Sequence, residues 1–300
     1  MLEHMKSPPE MPKRTVILGA GGFVGGACQH ELANSGANVV GLTRADIDLH
    51  ADGASEALTD FIKPEDALVI ASAIVPCKFA ETLLENLQMM HTICTALKSN
   101  PVSHIVYISS DAVYSDSPEP LTESSATQPA SMHGIMHITR EEMLAETIGD
   151  TPYAILRPTL LYGATDTHNG YGPNRFRRLA AAGDDIELFG EGEERRDHVL
   201  IDDVARLISL VLAHKSRGTL NIATGEVVSF RDVADMVVSH YDSEVAIKGT
   251  PRSDPMPHNG YRPFDNAATR TAFPEFRYTP VMEGIRITHQ QAAASGWYFR

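Results

Sequence analysis

A short glycine-rich segment constrains the fold of this chain more than any other part of its sequence. The run Arg14–Leu18 is rich in β-branched residues and predicts a short strand, and the apolar residues of 23–34 recur at helical spacing. Between them lies the sequence GAGGFVG. Because glycine lacks a Cβ, the chain can turn sharply there, and its backbone N–H groups can approach an anion at the start of the helix. This order predicts a dinucleotide pyrophosphate site, with a flexible turn as the alternative. The predicted contacts are Gly19, Gly22, Phe23, Val24 and Gly25.

The following sequence, as far as residue 158, alternates between strand-like and helix-like patterns. Strands are predicted over 37–42, 66–73, 103–110 and 152–158, and helices over 80–98 and 132–147. The strands are apolar on both faces, which is typical of a parallel sheet covered by helices on both sides. The sequence therefore predicts an α/β fold with a Rossmann-type, doubly wound parallel sheet.

The composition changes after Tyr162, where glycine, asparagine and threonine become frequent. We expect a dinucleotide-binding domain over 13–165 and a smaller, mainly substrate-binding region over 166–300. A helical pattern and a strand pattern in 197–224 are expected to complete the first domain, so the two domains interleave. Residues 1–12 show no periodic pattern and are expected to form a flexible tail.

Charge and cysteine content restrict the partners and the compartment. Lys and Arg number 25 against 39 Asp and Glu, which gives a net charge of −14. This sign disfavours binding to nucleic acid or to an anionic membrane surface. Three cysteines without CxxC spacing predict neither a disulfide framework nor a cysteine zinc site. With no long apolar run and no signal-like start, we expect a cytoplasmic protein without a metal.

The end of the second predicted strand bears on which cofactor is bound. NAD-binding proteins place an acidic residue there for the ribose 2′-hydroxyl, whereas this chain has Arg44. A guanidinium suits a 2′-phosphate, so we predict NADP(H) in preference to NAD(H). Nearby Asp48 offers an alternative acid that keeps NAD possible, and an exposed arginine without a ligand is the other alternative. Ala71 and Ala73 are expected to form a small-residue floor beside the cofactor.

Four segments together resemble the extended short-chain dehydrogenase/reductase family, which contains nucleotide-sugar epimerases, dehydratases and reductases. They are the GxxGFxG turn, HIVYISSDAVY, RPTLLYG and GEGEERRDHVLIDDVA. The similarity extends from Thr15 to about Ile287. It implies an NAD(P)-dependent oxidoreductase acting on a nucleotide sugar, and a homodimer built from two helices per subunit. It also places Ser110 at the family's catalytic Ser/Thr position.

The chain departs from the family at the Tyr-x-x-x-Lys pair, where it has His133 and His137. The two positions lie on one helix face, and histidine titrates near neutrality. His133 is therefore predicted as the general acid/base, with His137 donating to the ribose and Asp111 or Tyr114 assisting. One alternative is a chain without catalysis that binds or senses NADP(H). Another is a metal site, although HxxxH here lacks the glutamate of HExxH and a third ligand.

The reaction and the substrate contacts are also suggested by the resemblance. Family dehydratases carry an acid where this chain has Ala112, and the sequence Ser-Asp-x-Val is similar to that of the 4-keto-sugar reductases. Reduction of a keto-sugar is therefore the leading hypothesis, with epimerisation second. Cations for the substrate diphosphate are predicted at Asn174–Arg175 and Arg196, and the family's RDxV motif favours Arg196. Surface salt bridges are the alternative for these arginines.

Overall fold

The computed structural model describes residues 2–241 and 244–295 as strands, helices and connecting segments. The strands are β1 Glu3–His4, β2 Thr15–Leu18, β3 Val39–Leu42, β4 Ala67–Ile70, β5 His104–Ile108, β6 Tyr153–Pro158, β7 Leu160–Tyr162, β8 Ile186–Phe189, β9 Arg195–Leu200, β10 Ser216–Ile222, β11 Val227–Ser229, β12 Ile247–Thr250 and β13 Tyr261–Arg262. The helices are α1 Phe23–Asn34, α2 Ala54–Phe61, α3 Ala80–Ser99, α4 Met132–Thr147, α5 Pro173–Ala182, α6 Ile201–Ala213, α7 Phe230–Val238, α8 Ala267–Ala272 and α9 Val281–Ser295. None of the helices described here has the length and apolar character that crossing a bilayer requires.

A seven-stranded sheet in the order β1-β10-β6-β5-β4-β2-β3 forms the centre of the molecule. All neighbouring strands are parallel except β1, which runs antiparallel to β10. Alternate residues of β2 enter opposite cores: Ile17 packs on the face covered by α1 and α6, and Val16 on the face covered by α2, α3 and α4. Burial on both faces explains the continuous apolar runs. The predicted doubly wound α/β fold is confirmed.

The second part of the chain forms a smaller layer and then returns to the first. Strand β9 pairs with β7, β11 and β13, and β8 pairs with β12. Strand β10, by contrast, joins the main sheet, where Leu220 lies opposite Leu156 of β6. Helix α6 packs on the same sheet through Val204 and Ile208. Residues 201–222 thus contribute to the main sheet and its helical cover.

Part of the segment 1–12, which was predicted to be a flexible tail, instead forms strand β1 of the sheet, while residue 1 lies outside the described residues. Glu3 and His4 pair with Arg217 and Ser216 of β10. His4 stacks on His214 with ring centroids 4.2 Å apart, and its Nδ1 lies 2.8 Å from the Ser216 hydroxyl. The segment covers a strand edge that would otherwise leave backbone groups unpaired. A two-residue strand has no detectable period, which is why the sequence analysis missed it.

Candidate active site

The glycine turn connects β2 to α1 and packs against the end of β4. Gly19 has a φ of 88°, and a Cβ on it would lie 2.7 Å from the Ser72 nitrogen. A Cβ on Gly25 would lie 2.1 Å from the Gly19 carbonyl oxygen. Helix α1 begins at Phe23 after Gly22, and no side chain of the described residues caps it. The N–H groups of its first turn are therefore available to an anion such as a pyrophosphate.

A cleft of about 440 Å³ opens beside this turn, between the carboxyl ends of β2, β3 and β4. Arg44 stands at its edge with 78% of its side chain exposed, and its Nε lies 3.1 Å from the Asp48 carboxylate. The Asp46 carboxylate instead accepts hydrogen bonds from the nitrogen and hydroxyl of Thr43. The predicted cofactor residues that line the cleft are Gly19, Gly22, Arg44, Asp48, Ala71 and Ala73. Of the others, Phe23, Val24 and Gly25 form the first turn of α1, and His137 lies in α4.

His133 lies in the first turn of α4, directly beside the turn that follows β5. Ser131 caps this helix by accepting a hydrogen bond from the Gly134 nitrogen at 3.1 Å. A Cβ on Gly134 would lie 2.0 Å from the Ala112 carbonyl oxygen, so only glycine lets the two segments approach this closely. Burial lowers the pKa of His133, and the nearby Asp111 carboxylate partly opposes that shift. Its buried Nδ1 has no hydrogen-bond partner in the described part of the chain.

His137 lies one turn further along α4 and is buried. Its Nδ1 is 2.8 Å from the Tyr107 hydroxyl. Burial holds the pKa of His137 well below its ordinary value and raises the pKa of Tyr107. The phenol therefore donates to Nδ1, which leaves the imidazole proton on Nε2. Among residues 2–241 and 244–295, no group of three or more His, Cys, Asp or Glu side chains is placed to hold a metal ion.

Ser110 and Asp111 follow β5 at the same end of the sheet. The Ser110 hydroxyl accepts a hydrogen bond from the Ala112 nitrogen at 3.1 Å, which fixes its position at the strand end. The Asp111 carboxylate accepts from Arg262 Nε at 2.9 Å and lies 4.0 Å from Arg196 Nη2. The Asp111 carboxylate thus lies near His133 and also within 4.0 Å of Arg196, and Ser110 directly precedes it in the chain.

Tyr114 does not face this site, and its predicted assisting role is corrected by the structure. Only 2% of the residue is exposed. Its hydroxyl donates to Asn221 Oδ1 at 2.7 Å and accepts from Arg157 Nη1 at 2.9 Å. Arg157 in turn pairs with Glu141. Tyr114 belongs to a buried network that joins β6, β10 and α4, so its hydroxyl is not available to a substrate.

The predicted pair Asn174–Arg175 lies in the first turn of α5. Asn174 is buried: its Oδ1 accepts from the Gly163 nitrogen at 3.0 Å, and its Nδ2 donates to the Leu161 carbonyl at 3.1 Å. These bonds hold α5 against the segment after β7, so the side chain has a structural role instead of the predicted substrate contact. Arg175 is exposed on α5 and forms no ion pair with another described residue.

Sequence reasoning missed the side chains that surround Arg196. Arg262 is 1% exposed, and besides its contact with the Asp111 carboxylate, its Nη2 donates to the Asp111 carbonyl at 2.7 Å. The Glu194 carboxylate forms ion pairs with the guanidinium groups of Arg196 and Arg252, each at 3.3 Å. Arg262 lies 151 positions after Asp111, and no local pattern connects residues at that separation. The three arginines, Asp111 and Glu194 form one charged cluster, and Asp111 is the member that acts on His133.

The glycine turn, the cleft and the helix-borne histidine pair can be compared with known proteins. A family model described as "NAD dependent epimerase/dehydratase family" matches residues 15–223, which is more than half of the chain. The chain belongs to this family. Its predicted membership of the extended short-chain dehydrogenase/reductase class is thereby confirmed, and the relatives below are enzymes.

Individual relatives of this epimerase/dehydratase family member are distant but cover most of it. A protein of Oryza sativa subsp. japonica named "Putative GDP-L-fucose synthase 2" is 27% identical over 266 residues, covering 78% of this chain and 75% of the relative. A GDP-L-fucose synthetase structure from Naegleria fowleri has a TM-score of 0.84 at 19% identity and covers 98% of both chains. A UDP-glucuronic acid 4-epimerase from Bacillus cereus, solved with UDP-glucuronic acid and NAD, has a TM-score of 0.79 at 19% identity, covering 94% of this chain and 99% of that one.

Proposed function

We propose that this family member is an NADP(H)-dependent oxidoreductase that reduces the keto group of a nucleotide sugar, with His133 as the general acid. One observation carries the proposal: the imidazole of His133 is half-buried near Asp111, and its buried Nδ1 has no hydrogen-bond partner among the residues that the structure describes. An imidazole with a free nitrogen in that position can give a proton to a neighbouring oxygen. The known relatives named above support the wider class of reaction.

The residues around the glycine turn fit a dinucleotide. Gly19 and Gly25 lack the Cβ atoms that would clash within the turn, and the start of α1, which no described side chain caps, presents N–H groups. Arg44 is exposed at the cleft edge, whereas Asp46 is engaged by its own backbone. An exposed arginine beside an engaged aspartate favours a 2′-phosphate and hence NADP(H). The Bacillus cereus relative was solved with NAD. When bound, the reduced cofactor supplies the hydride.

The remaining chemistry is a proton transfer and its support by this chain's residues. Protonated His133 gives its proton to the sugar oxygen that becomes an alkoxide, and it regains a proton from solvent. The Ser110 hydroxyl donates a hydrogen bond to the same oxygen. His137 stays neutral because burial lowers its pKa, and it presents Nε2–H as a donor toward the cofactor ribose. Tyr107 fixes that tautomer from the opposite nitrogen.

A nucleotide-sugar substrate brings a diphosphate that needs a cation. Arg196 is the predicted cation whose guanidinium reaches the site, because it lies 4.0 Å from Asp111 and 11% of its side chain is exposed. The relatives' printed names, a GDP-L-fucose synthase and a UDP-glucuronic acid 4-epimerase, support a nucleotide sugar over a free sugar.

We place the enzyme in the cytoplasm as a homodimer. Cys28, Cys77 and Cys94 are all buried free thiols, which suits a reducing compartment. Phe79 at the start of α3 and Leu84 within it each expose 66% of their surface. An apolar surface of this kind on the α3–α4 side is suited to pairing with a second copy.

The proposal is tested by titrating the purified protein with NADPH and NADH and by following cofactor oxidation with nucleoside-diphosphate 4-keto-sugars. We expect tighter binding of NADPH and turnover of at least one keto-sugar. Isomerisation of a sugar without net cofactor oxidation would instead support epimerisation. Tight cofactor binding without turnover of any sugar would contradict the enzymatic proposal and favour a binding or sensing protein.

A further inference from the structure

Helix α4 carries a fully buried arginine one turn beyond His137. Arg140 is 0% exposed. Its Nη2 donates to the Ser72 carbonyl at 2.7 Å, its Nη1 lies 3.8 Å from the sulfur of Met136, and its Cζ lies 5.4 Å from the centre of the Tyr107 ring. The guanidinium therefore bridges the end of β4 and the aromatic ring that holds His137.

This buried cation has no carboxylate partner within the described residues. The adjacent Glu141 is engaged by Arg157, at 2.6 Å and 3.0 Å. The Nε of Arg140 has no hydrogen-bond partner at all in that part of the chain. An arginine keeps its charge at every pH at which a protein is folded, and burying it without a counter-ion is costly. Packing alone does not explain why a cation rather than an apolar side chain occupies this position.

The charge lies between the two halves of the candidate site. Ser72 lines the cleft, and its nitrogen is the atom that a Cβ on Gly19 would meet at 2.7 Å. The Ser72 hydroxyl is itself buried without a partner among the residues described. On the other side, Tyr107 connects the guanidinium to His137 through the 2.8 Å hydrogen bond. The fixed positive charge of Arg140 thus lies between the cleft beside the glycine turn and the Tyr107 ring that holds His137.

We propose that Arg140 is a positioning residue whose fixed charge makes the site bind the reduced cofactor in preference to the oxidised one. The inference rests on the proposed function. An oxidised nicotinamide ring carries a positive charge and a reduced ring does not, so a buried cation nearby repels only the oxidised form. Because Arg140 is fully buried, it acts through its field and through the Ser72 backbone rather than by touching the cofactor.

The test compares dissociation constants for NADP+ and NADPH in the wild type and in Arg140→Met, Arg140→Gln and Arg140→Lys. If the wild type binds NAD+ and NADH more tightly than NADP+ and NADPH, the comparison uses NAD+ and NADH instead. We expect the ratio of the oxidised to the reduced dissociation constant to fall roughly tenfold in the Met and Gln variants and to stay within about threefold of wild type in the Lys variant. Binding is measured without a sugar, so turnover does not enter the result.

Arg14→Met is the matched control. Arg14 also lies over an aromatic ring, with its Cζ 5.3 Å from the centre of Phe61, but it precedes β2 at the opposite end of the sheet and pairs with Asp66. Its removal should leave the ratio unchanged. Far-UV circular dichroism and thermal unfolding show which variants fold. If Arg140→Met does not fold, Arg140→Gln takes its place, because its side-chain amide can still donate a hydrogen bond to the Ser72 carbonyl.

Each result decides between distinct conclusions. Equal weakening of oxidised and reduced cofactor in the neutral variants would overturn this inference and leave Arg140 with a purely structural role. An unchanged ratio in folded neutral variants would overturn it as well, while leaving the proposed function intact. A wild-type protein that binds neither cofactor form would overturn the proposed function itself, and this inference with it.

Discussion

The rings of His133 and His137 meet edge to face, with their centroids 4.7 Å apart. At this distance a positive charge on one ring opposes a positive charge on the other, and the proximity of His133 lowers the pKa of His137 further. Only His133 has a carboxylate, Asp111, acting to raise its pKa. The pair is therefore unequal: His133 is the ring that takes up a proton, and His137 remains a neutral donor.

The first prediction concerns the general acid. Replacing His133 with Ala should lower kcat for keto-sugar reduction by roughly 100-fold or more, because the developing alkoxide loses its proton donor. Binding of NADPH should change little. Steady-state NADPH oxidation measures the effect, with His30→Ala on the exposed surface of α1 as the control. Unchanged turnover in His133→Ala would exclude the histidine from the proton transfer.

The pH dependence of the reaction should follow the titration of the His133 imidazole. Burial lowers the pKa of His133 below 6.5, and reduction requires its protonated form, so kcat/KM for reduction should fall as pH rises through that pKa. For the reverse oxidation the rate should rise over the same range. Asp111→Asn removes the carboxylate that raises this pKa, so the falling limb should move to lower pH. A limb that stays in place in this variant would show that another group titrates.

Cofactor choice should depend on Arg44. Replacing it with Ala should raise the dissociation constant of NADPH by roughly tenfold, because a charge-assisted contact with the 2′-phosphate is lost. The constant for NADH should change little. Fluorescence titration of both cofactors measures this, and the 78% exposure of the side chain makes an effect on folding small. If wild-type protein binds NADH as tightly as NADPH, the assignment of Arg44 fails.

Substrate affinity should depend on Arg196. Charge reversal by Arg196→Glu should raise KM for the nucleotide sugar by roughly tenfold or more, since the diphosphate loses a cation and meets a carboxylate. The adjacent Arg195→Glu is the matched control, because Arg195 is exposed on the same strand. Initial rates at varied sugar concentration give both constants. Equal KM values for the two variants would remove Arg196 from the substrate site.

Acid stability should depend on His104, whose Nε2 lies 2.7 Å from the Ser216 carbonyl. Burial lowers the pKa of His104 to about 4, so the unfolded chain binds its proton first as pH falls. The contribution is present in full above pH 6.5 and is lost as pH falls toward 4, in total about 3 kcal/mol of the free energy of unfolding. His104→Gln should flatten that part of the curve in urea titrations.

The exposed His91→Gln should leave the same unfolding curve unchanged and serves as the control. An identical pH dependence in wild type and His104→Gln would show that other groups account for any acid destabilisation.

Much of the fold follows from local sequence signals. Helices α1 and α4 begin and end at the predicted residues, because apolar spacing sets their length and a residue suited to the N-terminus precedes each, Gly22 and Ser131. The buried strands of the main sheet were found within a few residues by their continuous apolar runs. The short strands β1, β11 and β13 were missed, since two or three residues carry no period.

The candidate site was predictable only where one local motif fixes a position. The glycine turn and the Ser110–Asp111 strand end lie where their motifs suggest, and Gly134 explains how α4 reaches them. Tyr114 and Asn174 were misassigned because their hydrogen-bond partners are set by chain packing rather than by neighbouring residues. Arg140 gave no signal, because the two glutamates that follow it suggest an exposed helix face.

The late position of β10 in the chain affects how the protein is made. The main sheet gains this strand only after residue 222 has left the ribosome, so β6 exposes an unpaired edge through much of synthesis. A fragment that stops at residue 165 would keep that edge open and aggregate. Residues 13–165 therefore complete their sheet only together with the later segment 201–222.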